Sequence, residues 1–261
     1  MGGLYCYPVK SCRGTSLGAA VVGPRGIAAD RQWMIVDERG EFRTQREVPR
    51  MALVSPRLID GVLEMTAPGM PTLNVSPGTQ RERTHVVVWD DHCAAVDEGP
   101  RAAEWLSAFL EVPCRLVRIP DDEIRRVDPR YAGPDDQVGF ADGFSFLLTS
   151  RASLDELNRR LSAPLPMNRF RPNIVVDGPE AFEEDRWKRI RIEGITFAVV
   201  KPCARCAITT TDQHTGERSH EPLRTLATFR HVMGRGVMFG QNLIHDRSGV
   251  LHLGAEVEVL E

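Results

Sequence analysis

The chain has 261 residues, 42% hydrophobic and 26% charged, the balance of a globular domain large enough to bury a core without staples. Its 33 basic and 36 acidic side chains leave a net charge of −3, so electrostatics gives no case for nucleic acid or an anionic membrane as the main partner. No apolar run is long enough to span a bilayer, and Met1-Gly2-Gly3-Leu4-Tyr5 does not open a signal peptide, so a cytoplasmic protein with reduced thiols is expected.

Taken in order, residues 3–9 open as a strand that delivers Lys10-Ser11 at its end. Residues 36–42 read as a hairpin closed around Glu38-Arg39-Gly40. Residues 52–59 and 62–66 read as strands, with Asp60-Gly61 as the turn between them. Residues 84–89 are β-branched and read as another strand. A helix fits 100–110, where Ala103, Leu106 and Leu110 fall at helical spacing and Trp105 and Phe109 widen the face. Residues 119–139 are polar and turn-rich and read as a long connection.

An apolar strand is expected at 144–148, then a helix over 150–161. Leu154, Leu157 and Leu161 share its face, and Ser153 with Glu156 can form a capping box. Residues 173–177 and 195–200 read as strands. A short helix fits 221–230, with Ser219 as its cap and Pro222 in its first turn. Residues 255–260 close the chain as a strand. Strands outnumber the isolated helices, which favours a mainly β, α+β fold built from β-barrels with attached helices.

Six cysteines are scattered through the chain, and only Cys203-Ala204-Arg205-Cys206 has ligand spacing. A thiolate beside a guanidinium would be a soft metal ligand or a redox group. Two packed core thiols are the other reading. The β-branched run 208–211 points to a strand, against a thioredoxin-like helix after the pair. Lys10, Arg31 and Arg171 each stand at the edge of an element, where a phosphate can be held by a point charge and by forked guanidinium groups. Ordinary surface charge is the alternative for each. Asn242, after Phe239-Gly240-Gln241, can hydrogen-bond a heterocycle edge, or the glycine can serve only a bend. The histidines show no ligand spacing, and there is no phosphate loop, nucleophile elbow or dinucleotide fingerprint.

Six motifs in order make a more specific pattern. They are Tyr7-Pro8-Val9-Lys10-Ser11, Asp30-Arg31-Gln32-Trp33, Phe140-Ala141-Asp142-Gly143-Phe144, Phe170-Arg171-Pro172-Asn173, Pro202-Cys203-Ala204-Arg205-Cys206 and Phe239-Gly240-Gln241-Asn242. Together they resemble the MOSC family, named for the molybdenum cofactor sulfurase C-terminal domain, in the branch with a MOSC N-terminal β-barrel region. The resemblance spans nearly the whole chain. It implies first strands (1–31) contributing to the MOSC barrel, an N-terminal region (32–116) and a MOSC domain (117–261). The strand at 3–9 should then pair with the later unit.

The resemblance also implies a molybdopterin-type molybdenum cofactor with Cys206 as the protein ligand to molybdenum. Lys10, Ser11 and Arg31 would hold the cofactor phosphate, and Arg171 and Asn242 would contact the cofactor. Asp142, in the stretch 142–145, would line the pterin. Arg205 would stabilise the anionic centre, and Cys203 is assigned to packing. The implied reaction is reduction of N-hydroxylated compounds such as amidoximes and hydroxylamines. Because the chain stops after its last expected strand, electrons are expected from a separate ferredoxin-type protein or b-type cytochrome with its reductase. The other implied classes are a sulfur carrier of the sulfurase type and a non-catalytic cofactor-binding module.

Overall fold

A computed structural model describes residues 1–261 other than 77 and 79–81. The fold is mainly β with three short helices. Its largest sheet has nine strands. Along one path these run Glu258–Val259, Arg189–Ile192, Ile195–Ala204, Gly236–His245, Phe146–Ser150, Ile174–Val176, Gly3–Cys6 and Thr15–Ser16, and His231–Val232 pairs beside Gly236–His245. The first strand does join the later part of the chain, with Gly3 opposite Val175 and Leu4 opposite Ile174. Phe146–Ser150 and Ile174–Val176 are buried at every residue, as parallel neighbours inside a sheet should be.

Three smaller sheets complete the architecture. Trp33–Val36, Arg115–Arg118, Asp91–Asp97 and Arg83–Val88 form one; Ser55–Ile59, Val62–Thr66 and Leu73–Val75 another. Gly249–His252, Ala19–Gly23 and Gly26–Ile27 form the third, which again ties early residues to late ones. Among the described residues no helix is long and apolar enough to cross a membrane.

Helix α1, Pro100–Leu110, lies where its periodicity places it and buries Ala102, Trp105, Leu106, Phe109 and Leu110. Helix α2, Arg151–Asn158, buries Leu154 and Leu157, but its cap is Ser150, not Ser153. Ser150 is the last extended residue of its strand, and its hydroxyl accepts from the Ser153 N–H at 3.0 Å. Ser153 instead donates its hydroxyl to buried Glu184 at 2.7 Å. Helix α3, Leu223–Arg230, has no Ser219 cap; the Glu221 carboxylate takes that role, accepting from the Thr225 N–H at 3.0 Å.

Other boundaries shift for local reasons. Residues 52 and 53 belong to a 3₁₀ turn, Pro49–Leu53, ahead of the Ser55–Ile59 hairpin strand. The closing strand shrinks to Glu258–Val259. The β-branched run at 208–211 is not a strand: Ala207–Thr210 is a 3₁₀ turn. The Thr209 and Thr210 hydroxyls donate back to the Cys206 and Ala207 carbonyls at 3.0 and 2.7 Å, a local bond that competes with sheet pairing.

Candidate functional site

Every residue singled out from sequence lines one cavity of about 320 Å³: Lys10, Ser11, Arg31, Asp142, Arg171, Arg205, Cys206 and Asn242. They come from segments far apart in the chain, brought together by the pairing of the first strand with Ile174–Val176. After Gly3–Cys6 the chain is carried past Trp33 by a bridge at Val9 and a Lys10 N–H bond to the Trp33 carbonyl at 2.8 Å. Ser11 (φ 64°), Arg31 (φ 47°) and Arg171 (φ 55°) all adopt left-handed backbone, uncommon without glycine and concentrated at functional sites.

The cationic wall is formed by buried Lys10 and Arg171 and half-buried Arg31. Lys10 donates to the Phe140 carbonyl at 2.8 Å and forms an ion pair with Asp142. Burial pushes the Lys10 ammonium below its usual range, with Asp142 opposing that shift. Partial desolvation works against the charge on Asp142, but the Lys10 cation and N–H donors from Lys10 and Trp89 overcome it and hold the carboxyl low. Arg31 bonds Asp30 at 2.5 Å and Asn173 Oδ1 at 3.1 Å. Burial would lower its pKa, and Asp30 more than restores it. Arg171 has no carboxylate partner among the described residues and donates to the Cys12 carbonyl at 2.6 Å. Burial lowers its pKa to about 10.

The opposite wall is the end of Ile195–Ala204 and the turn after it. Its pairing with Gly236–His245 slips between Val199 and Lys201 and again between Pro202 and Ala204. Such bulges bend a strand and re-aim its side chains, and here residues 201–206 all line the cavity. Cys206 is half-buried, at the start of the 3₁₀ turn. Cys203 is not packed in the core as expected; it is half-buried, lines the same cavity, and its sulfur accepts from Arg205 at 2.9 Å. Arg205 also donates to the Phe170 carbonyl at 2.6 Å, while its buried Nε has no partner among the described residues.

The remaining cysteines are buried. Burial pushes Cys12 up to about 12 and Cys93 up to about 11, and raises Cys6 and Cys114 as well. They are poor thiolates. Asn242 sits within Gly236–His245 and donates to the Lys201 carbonyl at 3.1 Å. Gly240 (φ 81°) is no bend between elements; it lies inside that strand, and a Cβ there would meet the Leu148 carbonyl oxygen at 2.6 Å.

Sequence reasoning missed several cavity residues. Thr44 and Arg46 arrive from the loop before the Pro49–Leu53 turn, with the Arg46 guanidinium 4.4 Å from the Trp89 ring centre. Lys201 stands 5.0 Å from the Tyr131 ring centre. Asn173 was within a recognised motif, and its side chain joins Arg31 to the Leu147 N–H and the Tyr5 carbonyl. No local signal marks Thr44 or Arg46, because only tertiary pairing brings them in.

Comparison with known proteins matches residues 1–113 to the MOSC N-terminal beta barrel domain and residues 135–258 to the MOSC domain. Mitochondrial amidoxime-reducing component 1 of Mus musculus is 32% identical over 276 residues, covering 98% of this chain and 81% of that protein. The Homo sapiens protein of the same name is 31% identical over 283 residues, covering 98% and 82%. Molybdenum cofactor sulfurase of Homo sapiens is 31% identical over 265 residues, covering 93% of this chain but 29% of its own length. With both domains in sequence and homology over nearly its full length to the amidoxime-reducing components, the chain belongs to the MOSC family.

Proposed function

We propose that this protein is a molybdenum-cofactor-dependent oxidoreductase that reduces N-hydroxylated compounds with electrons from a separate protein. One observation carries the reading: a half-buried thiol and a set of buried or half-buried cations exceeding their carboxylates line the same cavity. The donor set fits the cofactor. Among the described residues Arg171 forms no ion pair and the buried Arg205 Nε has no partner, and Cys206 would supply the soft donor that molybdenum takes. Homology to amidoxime-reducing components supports the same class.

On this reading Lys10, Ser11, Arg31 and Arg171 hold the cofactor phosphate, and Asp142 and Asn242 border the pterin. Cys206 is the protein ligand to the metal, and Arg205 places a fixed positive charge beside it, anchored by the Phe170 carbonyl. The bound cofactor supplies the two-electron centre for removing the N–OH oxygen, which leaves as water with two protons. The chain's own part would be to hold and orient the cofactor, which would supply the chemistry. Among the described residues no group of three or more His, Cys, Asp or Glu side chains is placed to hold a metal ion, which supports an external donor such as a ferredoxin-type protein or a b-type cytochrome with its reductase. We read residues 1–31 with the MOSC domain, 117–261, and 32–116 as the N-terminal region, supported by the pairing of Gly3–Cys6 with Ile174–Val176 and of Trp33–Val36 with Arg115–Arg118.

The sulfur-carrier reading draws on one observation, the half-buried Cys203 with its Arg205 N–H donor. Metal analysis separates the two. Protein from a host that makes the cofactor should carry stoichiometric molybdenum and reduce benzamidoxime with dithionite or a donor protein, but not with NADH alone. Absence of molybdenum, or its full retention in Cys206→Ser, would overturn the reading.

A further inference from the structure

Tyr7 opens one of the motifs, yet the function above gives it no part. It is buried, at 3% exposure, between the first strand and the cationic wall. The guanidinium carbons of both Arg31 and Arg171 lie 4.4 Å from its ring centre. Two like charges sharing one ring repel each other, and among the described residues only Arg31 forms an ion pair, with Asp30, to offset this. The negative face of an aromatic ring attracts a guanidinium most strongly where water is excluded.

The ring itself is fixed from several sides. The Tyr7 N–H donates to Asp30 Oδ1 at 2.8 Å, and its carbonyl accepts from the Arg31 N–H at 2.8 Å. Its hydroxyl donates to the Pro172 carbonyl at 3.1 Å, directly after Arg171. Gly14 packs against it so closely that a Cβ there would lie 2.3 Å from a ring carbon. Both arginines reach the ring from left-handed backbone.

We propose that Tyr7 is a positioning residue, a shared platform that holds the Arg31 and Arg171 guanidinium groups together so that they act as one receptor for a phosphate group. Neither arginine then has to be ordered by the ligand, which is how a preorganised site gains affinity. The proposal rests on the reading above only for the source of the phosphate. The hydroxyl tethers the ring, whereas the π-face does the holding, so Tyr7→Phe should keep the function and Tyr7→Leu should lose it.

The test uses full-length protein from a host that does not make the cofactor, with inorganic phosphate as the probe. Thermal unfolding is followed against phosphate concentration, with Arg171→Met as the reference for loss. Wild type and Tyr7→Phe should be stabilised by phosphate with similar apparent affinity. Tyr7→Leu should need at least about tenfold more phosphate, since tenfold corresponds to about 1.4 kcal/mol, within what a buried cation–π contact supplies. Gly14→Ala, which keeps the tyrosine but displaces its ring, should show the same weakening and serves if Tyr7→Leu does not fold. Phosphate binding by Tyr7→Leu or Gly14→Ala equal to wild type, or none by wild type, overturns the platform. Phosphate binding with the expected variant pattern, together with no molybdenum in protein made in a host that synthesises the cofactor, would sink the reductase reading and leave the platform standing.

Discussion

Gln213→Leu tests whether the cavity depends on a clasp between its two sides. Gln45 and Gln213 are 0% and 3% exposed and bond each other reciprocally, at 3.1 and 2.9 Å. Gln45 also donates to the Ser11 carbonyl at 2.7 Å, and Gln213 to the Thr211 carbonyl at 3.0 Å. The clasp therefore links the Ser11 turn, the loop carrying Thr44 and Arg46, and the segment just after Cys206. Leucine at 213 removes three hydrogen bonds and strands the buried Gln45 Oε1. With about 1 kcal/mol net per bond and about 1–3 for a stranded acceptor, the cost should be about 4–6 kcal/mol. Removing both amides loses the two mutual bonds once instead of twice and strands neither acceptor, so Gln45→Leu with Gln213→Leu should cost at least about 2 kcal/mol less than the two singles summed. Urea midpoints of wild type, both singles and the double give this cycle directly. A single-variant cost under about 0.5 kcal/mol, or strict additivity, would refute the clasp.

Cys206→Ser should abolish molybdenum retention and benzamidoxime reduction, while Cys203→Ser keeps the metal but lowers turnover, since its sulfur only receives the Arg205 N–H; metal content and rate separate these outcomes. Iodoacetamide should label Cys203 and Cys206 in cofactor-free native protein and leave the four buried cysteines unmodified by mass spectrometry. Asp142 has a lowered folded pKa, so its stabilising contribution is present above the unfolded carboxyl pKa of about 4 and is lost as pH falls below it. Between pH 5 and pH 3, wild type should thus lose more stability than Asp142→Asn in denaturant titrations; equal losses would refute the pairing. Gly240→Ala should cost at least about 2 kcal/mol, from left-handed strain and the clash with the Leu148 carbonyl, read as a lower urea midpoint.

Local sequence determined a good deal of this protein. The α1 boundaries follow from period and Pro100, the hairpin at 55–66 from alternation around Asp60-Gly61, and the eight cavity residues from ordered motifs, with soft thiol, cation and amide chemistry marking some and the family resemblance supplying the rest. Where local reasoning failed, a competing side-chain bond decided: Ser150 capped α2, and threonine back-bonding turned residues 207–210 into a 3₁₀ turn. Cys203 read as core because its spacing from Cys206 says nothing about which side of a bulged strand end it occupies. Arg46, Lys201, the Gln45–Gln213 clasp and the two guanidinium groups over Tyr7 belong wholly to tertiary structure. Each depends on partners far apart in sequence, and no periodicity or propensity encodes a contact between segments that only the tertiary fold brings together.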